Sequence, residues 1–423
     1  MIDGKEDCEL TGSNIMKTKS RRPKRLAPQF SPTLHPVNFP VRRCSGEREA
    51  ATKRFLIIRV GAHGDILMAT PLLAALRTHY PQAHVTWLVE YNERDAIEAN
   101  PYVDEVLLWD SGYFKRFLRR GFYPLWLLRV LQLRTELRRR RYDVLISFQP
   151  EEWPLLLKGA AARINIGVFD TFRQFLGKTK TSRYARLYTH SFTYSSLPAH
   201  RTDQYLLPLK ALDLPVPADK RMQMGFLAED DAAVTAFLEE QGLRPGVPFV
   251  VLAPMTTWSS RCWPADRYAQ LGDELWAREG CQIVIIGSAK EKERAAVEHI
   301  AGMMRKEPIR ASGALSFRQM AALIARSSVL ISGDTGPMHV AAAVGTPYVA
   351  LFGPTPVSSR APLAGQGLSL MHPVPCGPCD KEHCLNTGED FMRCMKLLTV
   401  DEVYEAASAL LGSPKKSHEY SHH

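Results

Sequence analysis

Apolar positions begin abruptly at Arg54. The run RFLIIRV (54–60) is short and continuous, as expected of a strand buried on both faces of a parallel sheet. A glycine loop and a helix-like stretch, GAHGDILMATPLLAALRTHYP, follow at once. The order then recurs. HVTWLVE and EVLLWD predict strands, PLWLLRVLQLRTELRRRR a helix, and YDVLISF and ARINIGV two more strands. Between about 170 and 225 the pattern weakens, and that segment is expected to be loops and an interdomain linker. A second alternation starts at VPFVVLAP and runs through CQIVIIG, SVLISGD and TPYVALFG as strands. PADRYAQLGDELWARE, AKEKERAAVEHIAGMM, FRQMAALIARS and LTVDEVYEAASALL are the helices around them. Two alternations of similar length predict an α/β chain with two Rossmann-like, doubly wound domains facing a central cleft. The expected boundaries are a disordered basic extension over 1–52, an N-terminal domain over 53–215, a C-terminal domain over 216–412 and a polar tail over 413–423.

Charge changes the picture by its distribution. The chain has 54 Lys and Arg against 44 Asp and Glu, a net +10. Residues 115–141 alone carry ten cations against one acid, and the first 54 residues are also basic, so the rest of the chain is mildly acidic. A nucleic-acid binder would spread a basic face over its folded body, and no nucleic-acid partner is expected. No apolar run is long enough to span a bilayer, and the first thirty residues are not signal-like, so a cytoplasmic protein is expected.

Ligands of doubly wound sheets bind at the carboxyl ends of the strands, which directs attention to the loops there. After the first strand, Gly61 and Gly64 permit a tight turn, and Asp65 opens a helix. Asp65 is either a first-turn or capping acid favoured by the helix dipole or a general base facing the cleft. The G-x-x-G spacing lacks the G-x-G-x-x-G of a dinucleotide site, which disfavours an NAD enzyme. In the second domain the loop Met255–Pro264 sets Thr256, Thr257 and Arg261 before a helix, either a phosphate clamp or a hydroxyl-rich turn with a surface Arg. Further on, Gly333, Asp334, Thr335, Gly336 and Pro337 enter a helix that carries His339. Such a helix start can hold a diphosphate on its N–H groups. His339 is there either a ligand contact or a packing residue, and Gly353-Pro354-Thr355 would line the same pocket.

The Gly-x-x-Gly-Asp loop, the Thr-Thr…Arg-Cys-Trp-Pro loop and above all SGDTGPMHVAAAVGTPYVALFGPT together resemble glycosyltransferase family 9, the lipopolysaccharide core heptosyltransferases. The likeness runs from about Arg54 to Leu411. It implies a GT-B fold and inverting transfer of a heptose, commonly from ADP-L-glycero-D-manno-heptose, onto a lipid-linked saccharide acceptor. The alternatives are a family 9 enzyme using another nucleotide sugar, or a non-catalytic protein of the membrane surface. By the same resemblance the base falls on Asp65, and the donor contacts fall on Thr256, Thr257, Arg261, Asp334, Thr335, Gly336 and His339. Where better-known members have a Lys in the Thr-Thr loop, this chain has Arg261, which keeps the charge but alters hydrogen-bond geometry. An acidic contact expected after Ile286-Gly287 is assigned to Glu291. No D-x-D pair stands near the cleft loops, so no metal is expected in the chemistry.

Two features lie outside these loops. Residues 113–141 mix leucines and aromatics with arginines. They form either a basic amphipathic helix on an anionic inner-membrane surface, convenient for a lipid-linked acceptor, or a core-packed helix with a solvated basic end. Cys376, Cys379, Cys384 and Cys394 form C-x2-C-x4-C-x9-C, whose spacing leaves a structural zinc site and reduced or paired thiols both open.

Overall fold

The computed structural model describes residues 52–112, 123–149, 162–169, 185–193, 200–244 and 246–412. Apart from Thr52, the expected N-terminal extension lies outside these residues, as do the 413–423 tail and positions 113–122 of the basic segment.

The first half is built from β1 (Arg54–Ile58), α1 (His63–Ala69), α2 (Pro71–His79), β2 (His84–Glu90), β3 (Glu105–Trp109), α3 (Tyr123–Arg139), β4 (Val144–Ser147), β5 (Ile164–Phe169), β6 (His190–Thr193), α4 (Arg201–Tyr205) and α5 (Pro208–Ala211). The second comprises α6 (Ala228–Glu240), β7 (Phe249–Ala253), α7 (Ala265–Glu279), β8 (Gln282–Ile285), α8 (Glu291–Met303), β9 (Ile309–Arg310), α9 (Phe317–Arg326), β10 (Val329–Gly333), α10 (Gly336–Val344), β11 (Tyr348–Phe352), α11 (Val357–Arg360), β12 (Gly367–Met371), α12 (Arg393–Lys396) and α13 (Val400–Leu411).

Each half holds one six-stranded parallel sheet, in the orders β3-β2-β1-β4-β5-β6 and β12-β11-β10-β7-β8-β9. Counted from each half's own first strand, the two orders are the same. The strand order reverses between β1 and β4 in one sheet and between β7 and β10 in the other, and crevices at such reversals are where open α/β sheets take ligands.

The period-two alternation along each strand assigns its faces. Phe55 and Ile57 of β1 enter the core shared by the two halves, while Leu56 and Ile58 enter a separate core on the outer face of the first sheet. In β7, Phe249, Val251 and Ala253 join the shared core, while Val250 and Leu252 join the outer core of the second sheet. Both faces of both sheets are therefore covered, which explains the continuous apolar runs. A truncation such as Ile57→Ala would cost about 2–5 kcal/mol.

The described part of the segment expected to be a linker holds regular structure. It supplies the edge strand β6 and the two short helices α4 and α5, with Tyr205, Leu206 and Leu209 buried in the shared core. β6, HSFT, has one large apolar residue, so no apolar run marks it as a strand.

Candidate active site at the paired strand reversals

α1 packs directly on α10 across the two halves. The contact closes on a glycine. A Cβ on Gly64 would stand 2.8 Å from Cδ2 of His339, so only glycine admits the imidazole there. The space beside Gly61 is likewise filled by the protein, by the side chain of Glu93. That carboxylate pairs with Nδ1 of His63 at 2.9 Å, and the His63 ring stacks on Phe317 of α9 with centroids 3.8 Å apart. Gly64 thus makes room for a side chain of the other half, and Gly61 for a carboxylate paired with the histidine that stacks on the other half.

Asp65 lies in the first turn of α1, but it does not cap the helix. The N-cap position is Ala62, which has no side-chain bond to offer. Instead Oδ2 of Asp65 meets Nη2 of Arg59 at 2.6 Å, and Oδ1 accepts the Tyr205 hydroxyl at 2.7 Å. Burial works to raise the Asp65 pKa, but Arg59, Arg201 and the Tyr205 hydroxyl outweigh it and hold the carboxyl at about 2. It is ionised throughout the neutral range, and its side chain stays 27% exposed. Arg59 and Tyr205 are themselves braced. The guanidinium lies over the Tyr205 ring, and Phe148, just past β4, meets that ring edge-on at 5.0 Å.

The second reversal presents donors in place of an acceptor. Asp334 follows β10 and is buried, with Oδ2 accepting the Thr355 hydroxyl at 2.7 Å and lying 3.3 Å from Nη1 of Arg261. Arg261, 7% exposed, also donates from Nη1 to the Asp334 carbonyl and stacks over Trp258 at 3.7 Å. Its Nε and Nη2 are buried and have no hydrogen-bond partner in the structure. Burial pulls its pKa below the usual guanidinium range, against the Asp334 carboxylate, yet an arginine remains charged. Two buried N–H donors of a fixed cation without an acceptor are costly unless an anion arrives to take them.

His339 sits one turn into α10 and is 4% exposed. Burial lowers its pKa to about 4, with Asp334 and Asp65 pulling upward and Arg360 and His200 adding to the depression. It is therefore neutral at pH 7, and its buried Nδ1 has no partner in the structure. Thr335, the N-cap of α10, makes no side-chain capping bond, so the first-turn amides of this helix are not capped by a side chain. Gly336 and Thr335 are both half-buried at this start.

Thr256 is half-buried and donates its hydroxyl to the Trp258 carbonyl at 2.5 Å, which shapes the loop, while Thr257 is exposed at its crest. A Cβ on Gly333 would meet Thr256 Cγ2 at 2.8 Å, so that glycine lets the β7 and β10 loops touch. Glu291 is the first residue of α8 and is exposed, beyond the β8 end. Its neighbour Glu293 folds back to accept the Ser288 N–H at 2.8 Å.

Several residues here carried no sequence signal of their own. Arg59 ends the first apolar run, and Arg201 and Tyr205 fall in the weakly patterned segment. So does His200, whose Nε2 meets the Ala361 carbonyl at 2.7 Å across the halves. Arg360 also lies over the Trp258 ring, 5.8 Å from its centroid, and 3.6 Å from Asp380.

The cysteine loop braces this site from behind. The Ser260 hydroxyl donates to the Lys381 carbonyl at 2.6 Å, and Ser259 meets His383 at 2.9 Å. All four cysteines of the cluster are free, with Cys376 and Cys379 exposed. The Met392 N–H donates to Cys384 Sγ and the Asn386 amide to Cys376 Sγ. Burial raises the Cys394 thiol to about 11. Among the described residues no group of three or more His, Cys, Asp or Glu side chains is placed to hold a metal ion. No described helix is long and apolar enough to cross a membrane.

Comparison with known proteins agrees with this geometry. The chain is 27% identical over 299 residues to lipopolysaccharide heptosyltransferase 3 of Escherichia coli K12, covering 69% of this chain and 80% of that protein. A family 9 glycosyltransferase from Veillonella parvula superposes with a TM-score of 0.69 at 22% identity, over 85% of this chain and 97% of its own. Escherichia coli heptosyltransferase WaaC, solved with ADP-2-deoxy-2-fluoro heptose, superposes with a TM-score of 0.61 at 19% identity, over 84% of this chain and 99% of its own. The fold is thus GT-B. The sequence model of Glycosyltransferase family 9 (heptosyltransferase) matches residues 130–388, more than half of the chain, and begins beyond the Asp65 loop. With two like-ordered sheets meeting at a cleft and the family's sequence across most of it, the chain belongs to glycosyltransferase family 9, the heptosyltransferases, and is a glycosyltransferase.

Proposed function

We propose that this enzyme transfers a heptose from an ADP-linked donor, in the form ADP-L-glycero-D-manno-heptose, onto a lipopolysaccharide core or related lipid-linked saccharide, with inversion at the anomeric carbon. The observation that carries the reading is the pairing of opposites at the cleft. An ionised carboxylate stands on one side, and unpartnered buried donors of Arg261 and His339 stand on the other. The named relatives transfer heptose in lipopolysaccharide assembly, and one neighbour was solved with an ADP-heptose analogue, which supports the donor class.

In this reading the acceptor hydroxyl attacks the anomeric carbon as the bond to the diphosphate breaks, through an oxocarbenium-like transition state. Asp65 takes the hydroxyl proton as general base. Its low pKa makes it a weak base at rest, but the attacking hydroxyl becomes strongly acidic as its oxygen bonds to carbon, so transfer to a carboxylate is favourable late in the step. The departing diphosphate receives Nε and Nη2 of Arg261, Nδ1 of His339 in its donor tautomer, and the start of α10 at Thr335 and Gly336. Asp334 orients Arg261 through the Thr355-supported carboxylate. Thr256 and Thr257 shape the seat, and Glu291 meets the nucleoside side. With charge supplied this way, the reading requires no metal, and transfer should be unchanged by EDTA. Zinc on the four cysteines would be structural only, and metal analysis of the purified protein decides it. A lipid-linked acceptor puts the enzyme on the cytoplasmic face of the inner membrane as a peripheral protein.

Thermal-shift titration with ADP-, UDP- and GDP-sugars, followed by transfer assays with the stabilising donors, tests the assignment. ADP-heptose should give the largest shift and support transfer. Stabilisation and turnover with a UDP- or GDP-hexose alone would replace heptose with another family 9 donor.

A further inference from the structure

α3 exposes more large apolar side chains than any other described helix or strand. Val130, Leu133 and Leu137 face inward and pack in the outer core with Leu56, Ile58, Leu107 and Leu145. On the opposite side Leu127, Leu128 and Leu131 stand 50%, 50% and 46% exposed. No other described helix or strand exposes three large apolar side chains. Single exposed leucines are ordinary, but three adjacent ones on a helix already anchored by its other face are not.

Helical geometry groups them with cations. At about 100° per residue, Leu127, Leu131, Arg134 and Arg138 fall within about 60° of one another, with Leu128 and Arg139 on the flank. Arg138 and Arg139 are exposed, and Arg134 is half-buried. The helix's acid, Glu136, lies on the far side, paired with Arg140 at 3.1 Å. The outward face is thus leucine in its first turns, arginine in its last, and free of carboxylates from its own helix.

Topology fixes which end points where. α3 joins the parallel strands β3 and β4, so it runs back against them, and its first turns lie at the carboxyl ends of the strands. The exposed leucines therefore share the rim of the sheet from which the Asp65 loop leaves β1.

We infer that the outward face of α3 docks the enzyme on an anionic lipid bilayer, leucines in the acyl boundary and arginines at the headgroups, with the Asp65 side of the cleft turned toward the leaflet. The inference rests on the lipid-linked acceptor proposed above, because a membrane-held acceptor must reach Asp65 from that rim. Leucines with unopposed arginines fit an interfacial helix on anionic lipid. A second copy of this face would set arginine against arginine in parallel pairing, or arginine against leucine in antiparallel pairing, and supplies no carboxylate from this helix in either.

Flotation of the full chain with vesicles tests it. Binding to phosphatidylcholine vesicles containing phosphatidylglycerol is expected, with little binding to phosphatidylcholine alone. Arg138→Gln and Arg139→Gln should each lower the partition constant about fivefold. The triple change Leu127→Ser, Leu128→Ser and Leu131→Ser should lower it about a hundredfold or more. If the triple variant melts early, the exposed arginine pair still decides. In all variants transfer to a deacylated, water-soluble acceptor should be unchanged, while KM for the vesicle-borne acceptor rises. Partitioning that ignores these substitutions or anionic lipid overturns docking by this face. So does a dimer, seen by light scattering, that the leucine changes dissociate without altering flotation. Absence of transfer to the soluble acceptor by the unaltered enzyme would instead defeat the functional reading and leave the flotation result standing.

Discussion

The two sheets share one strand order and place their loops at equivalent reversals, yet they equip them oppositely. At the first, both oxygens of Asp65 are occupied by Arg59 and Tyr205, so the carboxylate is held in place before any substrate arrives. At the second, Arg261 and His339 are held by stacking, helix packing and burial, but Nε and Nη2 of Arg261 and Nδ1 of His339 are left without partners. On the function proposed above, one topology serves two tasks. A group that must move a proton needs fixed geometry and a fixed charge, whereas a group that must receive a charged ligand needs an unmet hydrogen bond.

The sharpest way to break this contrast is Asp65→Asn. If the first reversal serves chemistry alone, kcat falls by about two orders of magnitude or more while calorimetric donor affinity is unchanged. Turnover within a few-fold of the parent would remove Asp65 from the role of base.

His339 offers a second test, through stability. With its pKa lowered by burial from 6.5 to about 4, folded and unfolded chains are both neutral at this position above pH 6.5. As pH falls from 6.5 toward 4 the unfolded chain takes a proton that the folded one refuses, and stability drops by up to about 3 kcal/mol. Denaturant melts at a series of pH values should show that slope in the parent, and His339→Gln should flatten it. An equal slope in both would show that His339 is not the buried neutral group.

Arg261→Ala should weaken donor binding about ten- to a hundredfold, with Arg261→Lys between, because a lysine cannot present the paired Nε and Nη2 donors. A loss confined to kcat with donor affinity intact would place Arg261 on the proton-transfer side. The smallest effect belongs to Tyr205→Phe, which removes one hydrogen bond from Asp65. It should lower kcat about fivefold and leave donor affinity alone. A change in donor affinity instead would show that the first reversal also contacts the nucleotide sugar.

The layered fold was legible in the sequence because buried parallel strands write themselves as short apolar runs, from RFLIIRV to YVALF. The exceptions are explicable. β9 has two residues, and β12, GLSLM, is largely exposed at a sheet edge, so neither has a burial pattern to read. In the candidate site, Asp65, Arg261, Asp334 and His339 could be singled out because each lies in a loop or helix start that follows a strand. Arg59, Arg201 and Tyr205 could not. Arg59 reaches Asp65 only through the turn of the loop between β1 and α1, and Arg201 and Tyr205 act on it only once α4 folds back onto α1, a contact across 140 residues in the case of Tyr205. Gly64, legible only as a turn glycine, also makes room for His339.

That notch has a mechanical consequence. An imidazole from one half seated where the other half has no side chain works as a ball in a socket. A sliding motion of one half on the other would drive the ring into the α1 backbone. A movement of the halves that keeps this contact is therefore a rotation about it, smallest beside Gly64 and largest at the far lips of the cleft.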